Sequence, residues 1–159
     1  MVQALLKKGV AQSHAQHIAY MADGDYNEAL KLKDNELDTN VILITQWLDF
    51  SFNFKSAELV KWVEDISKIG RENLKSFLEY TIHIFREAMM VQYVKQYEPR
   101  LAQEEIVLTN RINKFITANK LNALLSVINK KHYEIERNVS PKIALLDLSL
   151  IMYKILRNK

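Results

Sequence analysis

At 159 residues and 18.6 kDa the chain suits one domain, or one domain with a piece of another. Leu, Ile, Val and Phe supply 51 residues, enough for a sizeable core and far above a disordered composition. Cysteine is absent, which removes disulfides, thiolate metal sites and a cysteine nucleophile and fits a reducing compartment, so a cytoplasmic location is expected. No apolar run reaches the length of a membrane span, and the N-terminus lacks the pattern of a secretory signal. The net charge is +3, but it is unevenly spread: residues 1–79 hold 9 basic and 12 acidic side chains, residues 80–159 hold 13 and 7. A basic half suits nucleic acid or an acidic partner, although its bases are scattered singly, with only Lys130-Lys131 adjacent, as on a solvated surface. Three Gly and two Pro leave few tight turns, so an all-α protein is favoured.

Taken in chain order, the pattern is helical throughout. The first predicted helix runs from about Ala11 to Ala22, with Ala15, Ile18, Ala19 and Ala22 on one face and Asp23-Gly24 as its stop. Asp25 and Glu28 stand as N-cap and N3 of a second, short helix through Ala29, Leu30 and Leu32. The polar stretch 33–40 is the best candidate for a boundary, dividing 1–37 from 38–159.

Beyond it, a long apolar helix is expected from Thr39 to Phe52, with Val41, Ile44, Trp47 and Leu48 at helical spacing. Ser56 is the expected cap of the next, in which Leu59, Val60, Val63, Ile66 and Ile69 face a core and which Gly70 ends. Another runs from Arg71 to about Tyr97 through Leu74, Phe77, Leu78, Ile82, Phe85, Met89, Tyr93 and Val94. Ile106, Leu108, Ile112, Phe115 and Ile116 mark a helix closed by Asn119. Leu121, Leu124, Leu125, Ile128, His132 and Ile135 mark one ending near Asn138. Ser140-Pro141 starts the last, with Ser as N-cap and Pro at N1. The expected architecture is a helical pair, a linker and a bundle of five or six helices.

Few groups converge for chemistry. His14 and His17 form only a two-ligand pair. Glu79, His83 and Glu87 share one helix face, but the Glu-x-x-His pairs of a carboxylate-bridged metal bundle are missing, so the trio reads as a polar stripe. There is no phosphate-binding Gly loop, no Gly-x-Ser-x-Gly and no His-Glu-x-x-His. Trp47, Trp62 and His132 sit in apolar patterns and read as core or interface residues. No metal, cofactor or catalytic residue is expected.

Ile18-Ala19-Tyr20-Met21-Ala22-Asp23-Gly24-Asp25-Tyr26-Asn27-Glu28-Ala29-Leu30 resembles the end of the small helical lid of clamp-loader AAA+ subunits. Residues 59–64, 69–80 and 85–87, then Ile135 to Ile143 with its Asn-Val-Ser-Pro-Lys junction, are similar to the C-terminal collar of the bacterial DNA polymerase III delta-prime subunit. The resemblance implies an all-α collar bundle (38–159) behind the last part of a lid (1–37), within a longer subunit. It implies a non-catalytic role in assembling the clamp loader, with the other loader subunits as direct partners and the sliding clamp and primer-template DNA reached through the complex. The position of the lid's phosphate-sensing Arg is Asn27 here, and a neutral amide lacks that charge-assisted contact. Apolar residues in excess of one stripe, Phe50, Phe52, Phe54, Met89, Met90 and Tyr93, are the candidate subunit interface. The alternative is a helical nucleic-acid-binding domain that uses the basic C-terminal half.

Overall fold

The computed structural model describes residues 1–7, 37–158 and the single positions 15, 19, 22, 25 and 27. Among the described residues every regular element is an α-helix, and the fold is an all-α bundle. The helices are α1 (Val2–Lys7), α2 (Leu37–Phe52), α3 (Ser56–Ser67), α4 (Arg71–Tyr93), α5 (Gln103–Phe115), α6 (Ala118–Glu136) and α7 (Pro141–Arg157). The second expected helix, apart from its first residues, and much of the expected boundary lie outside the described residues. Within the first, Ala15 and Ala22 are buried, as the one-face pattern requires.

α4 is the spine. Leu74, Phe77, Leu78, Ile84, Phe85 and Ala88 are buried along it, and it forms its most extensive pairing with α6. α6 answers with Leu121, Leu124, Leu125, Ile128 and Ile135, spaced so that each turn adds one layer. Each such side chain contributes about 1.5–3 kcal/mol on burial. α7 closes the other side through Ala144, Leu145, Leu148, Met152 and Leu156, lying against α6, α2 and α3. None of the principal helix pairs includes α1.

The helix ends differ from the sequence pattern in instructive ways. α2 begins at Leu37, inside the stretch expected to be a linker, because Thr39 and Asn40 are tolerated within a first turn. Ser56 is the first helical residue of α3 and Lys55 its N-cap. α3 ends at Ser67, and Gly70 instead precedes α4 at a φ of 96°, a conformation open to glycine at no steric cost. α4 stops at Tyr93, earlier than Tyr97. Asn119 opens α6 rather than closing α5. Thr117 is the N-cap there, its Oγ1 accepting from the Lys120 N–H at 3.4 Å, and α5 has already ended at Phe115. α6 closes near Asn138 as expected: Asn138 is left-handed (φ 68°), and the N–H groups of Asn138 and Val139 reach back to the carbonyls of Ile135 and Glu134. Ser140 holds the N-cap position of α7 with Pro141 at N1, but its hydroxyl makes no capping bond.

Candidate functional site

α2 is strongly apolar: Val41, Ile42, Leu43, Ile44, Trp47, Leu48, Phe50 and Phe52 cover most of its circumference, with Thr45 and Asp49 as a narrow polar line on the side toward α5. A helix of this kind needs cover over most of its circumference. Its inner side has it. Trp47 stacks on Trp62 with centroids 5.0 Å apart and planes 14° from parallel, and Phe77 tilts against both. The Trp47 indole N–H donates to Ser149 Oγ at 2.8 Å, so the one polar atom of that ring is satisfied inside the core.

The outer side of α2 is not covered. Between it and α5 runs a groove of about 340 Å³. Leu48, Phe52, Leu108, Ile112, Phe115 and Leu156 give it apolar walls, with Thr45, Asp49, Asn53 and Arg111 along the rim. The Thr45 hydroxyl is turned away to donate to the Val41 carbonyl at 2.7 Å. Asp49 accepts from Lys55 Nζ at 2.8 Å and from Asn53 Nδ2 at 2.7 Å. The Lys55 hydrogen bond, chiefly, with help from Asn53 and the Arg111 charge, holds the Asp49 carboxyl below the usual carboxylate range. Phe115 is 68% exposed, Ile42 56% and Val107 51%, all three on the helices that form this seam. Of these three, Phe115 lines the groove itself.

α5 is held in place by buried carboxylates. Glu105, 1% exposed, accepts from the Ala102 backbone N–H at 2.8 Å, which caps the helix, and from the Tyr80 hydroxyl at 2.6 Å, which ties it to α4. Glu87, also buried, accepts from the Tyr97 hydroxyl at 3.0 Å with both oxygens, fastening the segment after α4. A second, wider hollow beside it is lined by Arg86, Glu87, Met89, Met90, Tyr97 and the α6 residues Asn122, Leu125, Ser126 and Asn129.

The candidate interface residues therefore occupy two places. Phe50 and Phe52 are half-buried at the end of α2, Phe52 in the groove wall, and Phe54 lies on Tyr153 at 4.4 Å. Met89 and Met90 are half-buried at the second hollow, and Tyr93 is exposed at the end of α4. The polar stripe of α4 is split among different partners: Glu79 meets His132 Nε2 of α6 at 2.9 Å, whereas Glu87 faces Tyr97. Among the described residues no three His, Asp or Glu side chains converge as a metal site. His132 is half-buried and paired, and Trp47 and Trp62 are core. Asn27 is exposed, and its backbone N–H donates to Asp25 Oδ1 at 2.8 Å, the bond an N-cap aspartate makes. Glu28 and the pair His14 and His17 lie outside the described residues.

Several apolar residues read as core are instead at the surface: Val60, Ile69, Val94, Phe115 and Ile143 are exposed. The groove residues Arg111, Leu108 and Leu156 had no separate signal in sequence. The apolar excess of α2 was the one sequence feature that bears on the groove, through Leu48 and Phe52. Among the described residues no helix is long and apolar enough to cross a membrane. Comparisons with protein-family models, curated proteins and solved structures found no match.

Proposed function

We propose that this chain is a non-catalytic helical docking subunit, and that it serves as a collar of the clamp-loader type. One observation supports the reading: α2 is covered on its inner side, while on the side toward α5 its Leu48 and Phe52 line an open groove with Leu108, Ile112 and the exposed Phe115. A rigid bundle with one such seam suits heterologous helix–helix contacts of the sort that build a ring of unlike subunits. The lid-like run ending at Leu30 and the Asn-Val-Ser-Pro-Lys junction supply the more specific, clamp-loader part of the proposal.

The nucleic-acid reading has less support. Four of the thirteen bases of the C-terminal half are already engaged: Lys131 with Asp147 and Glu134, Lys142 with Glu64, Lys120 with the Leu156 carbonyl, and Arg137 over the Tyr133 ring. These four are held by contacts within the chain and so are less available to a phosphate backbone.

The test is co-expression with the remaining clamp-loader subunits of the source organism, followed by size-exclusion chromatography at physiological salt. Stable co-elution is expected, and purified residues 1–159 show no ATP turnover. Elution as a separate species, or ATP hydrolysis by the isolated chain, overturns the proposal.

A further inference from the structure

We propose that the α2–α5 groove is the seat of an amphipathic helix from a partner protein, one that carries acidic residues beside its apolar stripe. The inference rests on the docking reading above and names the chemistry of the partner. The groove follows α2 from Thr45 to Asn53 and α5 from Leu108 to Phe115. At 1.5 Å per residue this is about 12 Å, the span of apolar positions i, i+3, i+4 and i+7 on an incoming helix.

The charge of the rim selects the flanks. The groove is lined by one acid, Asp49, and one base, Arg111. Asp49 is already satisfied by Lys55 and Asn53. Arg111 has no ion-pair partner among the described residues, although its charge is felt at Asp49. Lys114 follows one turn later on the same helix, and Arg157 adjoins the groove residue Leu156; both are exposed. Asp49 is the groove's single carboxylate, and Lys55 already matches its charge. A helix with Asp or Glu flanking its apolar stripe meets Arg111 and Lys114 as it seats, whereas a basic helix is repelled. A second copy of this chain would bring the same basic rim against itself in a two-fold contact, which disfavours self-association through this face.

The experiment is selection from a phage-displayed library of amphipathic helices with randomised flanks, using residues 1–159 as bait. Selected peptides are then synthesised and their Kd measured by fluorescence anisotropy. Enrichment of Asp and Glu beside an apolar i, i+3, i+4, i+7 stripe is expected. Phe115→Ser then weakens binding by about tenfold or more, as loss of an aromatic contact at an interface does. Arg111→Glu weakens it too, and a Glu→Lys change in the peptide restores it. Phe115 and Arg111 are exposed, so both variants keep the wild-type circular dichroism and melting profile. Neutral or basic selected flanks, no enrichment, or indifference to both substitutions overturns the inference. So does a dimer of the wild-type chain that Phe115→Ser dissolves. The two proposals fail separately: acidic helices that bind without co-elution of loader subunits sink the clamp-loader reading alone. Loader subunits that co-elute unaffected by Phe115→Ser and Arg111→Glu sink the groove alone.

Discussion

The two sides of α2 carry similar side chains into opposite circumstances. Ile44, Trp47 and Ser51 point inward and are fully buried, with the Trp47 ring stacked on Trp62 and its N–H bonded to Ser149. Thr45, Leu48, Asp49 and Phe52 line the side toward α5, where the walls stand apart and a groove remains. Both sides carry apolar side chains, Leu48 and Phe52 on the outer one beside Thr45 and Asp49, but only the inner side has its full complement within the chain. The difference separates two uses of apolar surface. The inner side stabilises the bundle, and the outer side is left open to solvent along the groove.

The sharpest way to break that distinction is to truncate one side chain on each side and compare stabilities. Trp47→Ala removes a buried indole, its stacking partner and its hydrogen bond. It is expected to cost about 3–5 kcal/mol in urea unfolding. Phe115→Ala, on the groove, is expected to change stability by less than about 0.5 kcal/mol. Similar losses at the two positions would mean that the groove side is structural after all. A finer comparison sits within the tryptophan pair. The Trp62 indole N–H has no acceptor among the described residues, whereas that of Trp47 has Ser149. Trp47→Phe is therefore expected to cost about 1 kcal/mol more than Trp62→Phe.

The fold class was legible because apolar spacing fixes a helix wherever a stripe meets a core, and the buried positions of α4 and α6 follow it turn by turn. The site was only half legible, for a physical reason. Periodicity marks a residue as apolar and helical but does not say which neighbour covers it. Phe115 shares the spacing of Leu108 and Ile112, yet those two are buried and it is not. Phe52, chosen as surplus, does line the groove, whereas Met89 and Met90 line a different hollow. Arg111 gave no signal because a lone arginine on a helix reads as solvated surface. Its meaning comes from standing beside Asp49, 62 positions earlier in the chain. Helix ends were misread where a residue suits two roles: Asn119 can close a helix or sit in a first turn, and Thr117 decided it.

A smaller effect is expected where α5 is anchored to the core. Tyr80→Phe takes the phenolic donor from the buried Glu105 carboxylate, at a cost of about 1–3 kcal/mol. Glu105 also caps α5, so the loss loosens the outer wall of the groove before it disturbs the tryptophan layer. Native-state hydrogen exchange checks this: amides in the first turns of α5 gain exchange, while those around Trp47 keep their protection. Equal loss of protection in both places would show the two sides of α2 to be one cooperative unit, and the contrast between them would then be geometric only.

The smallest effect belongs to the groove rim and shows its sign through pH. Asp49 is partly exposed, and its carboxyl is held below the ordinary range mainly by the Lys55 hydrogen bond. A carboxylate whose pKa is lowered by folding adds stability above its unfolded value and loses it as pH falls through the lowered one. Asp49→Asn is thus expected to lower Tm by about 1 °C at pH 7, the scale of a solvent-screened pair. The gap between variant and wild type should close below about pH 4, as the wild-type carboxyl takes up its proton. High salt should shrink the gap at pH 7 as well. A gap that persists into acid would mean that Asp49 acts through its shape in the groove wall rather than its charge.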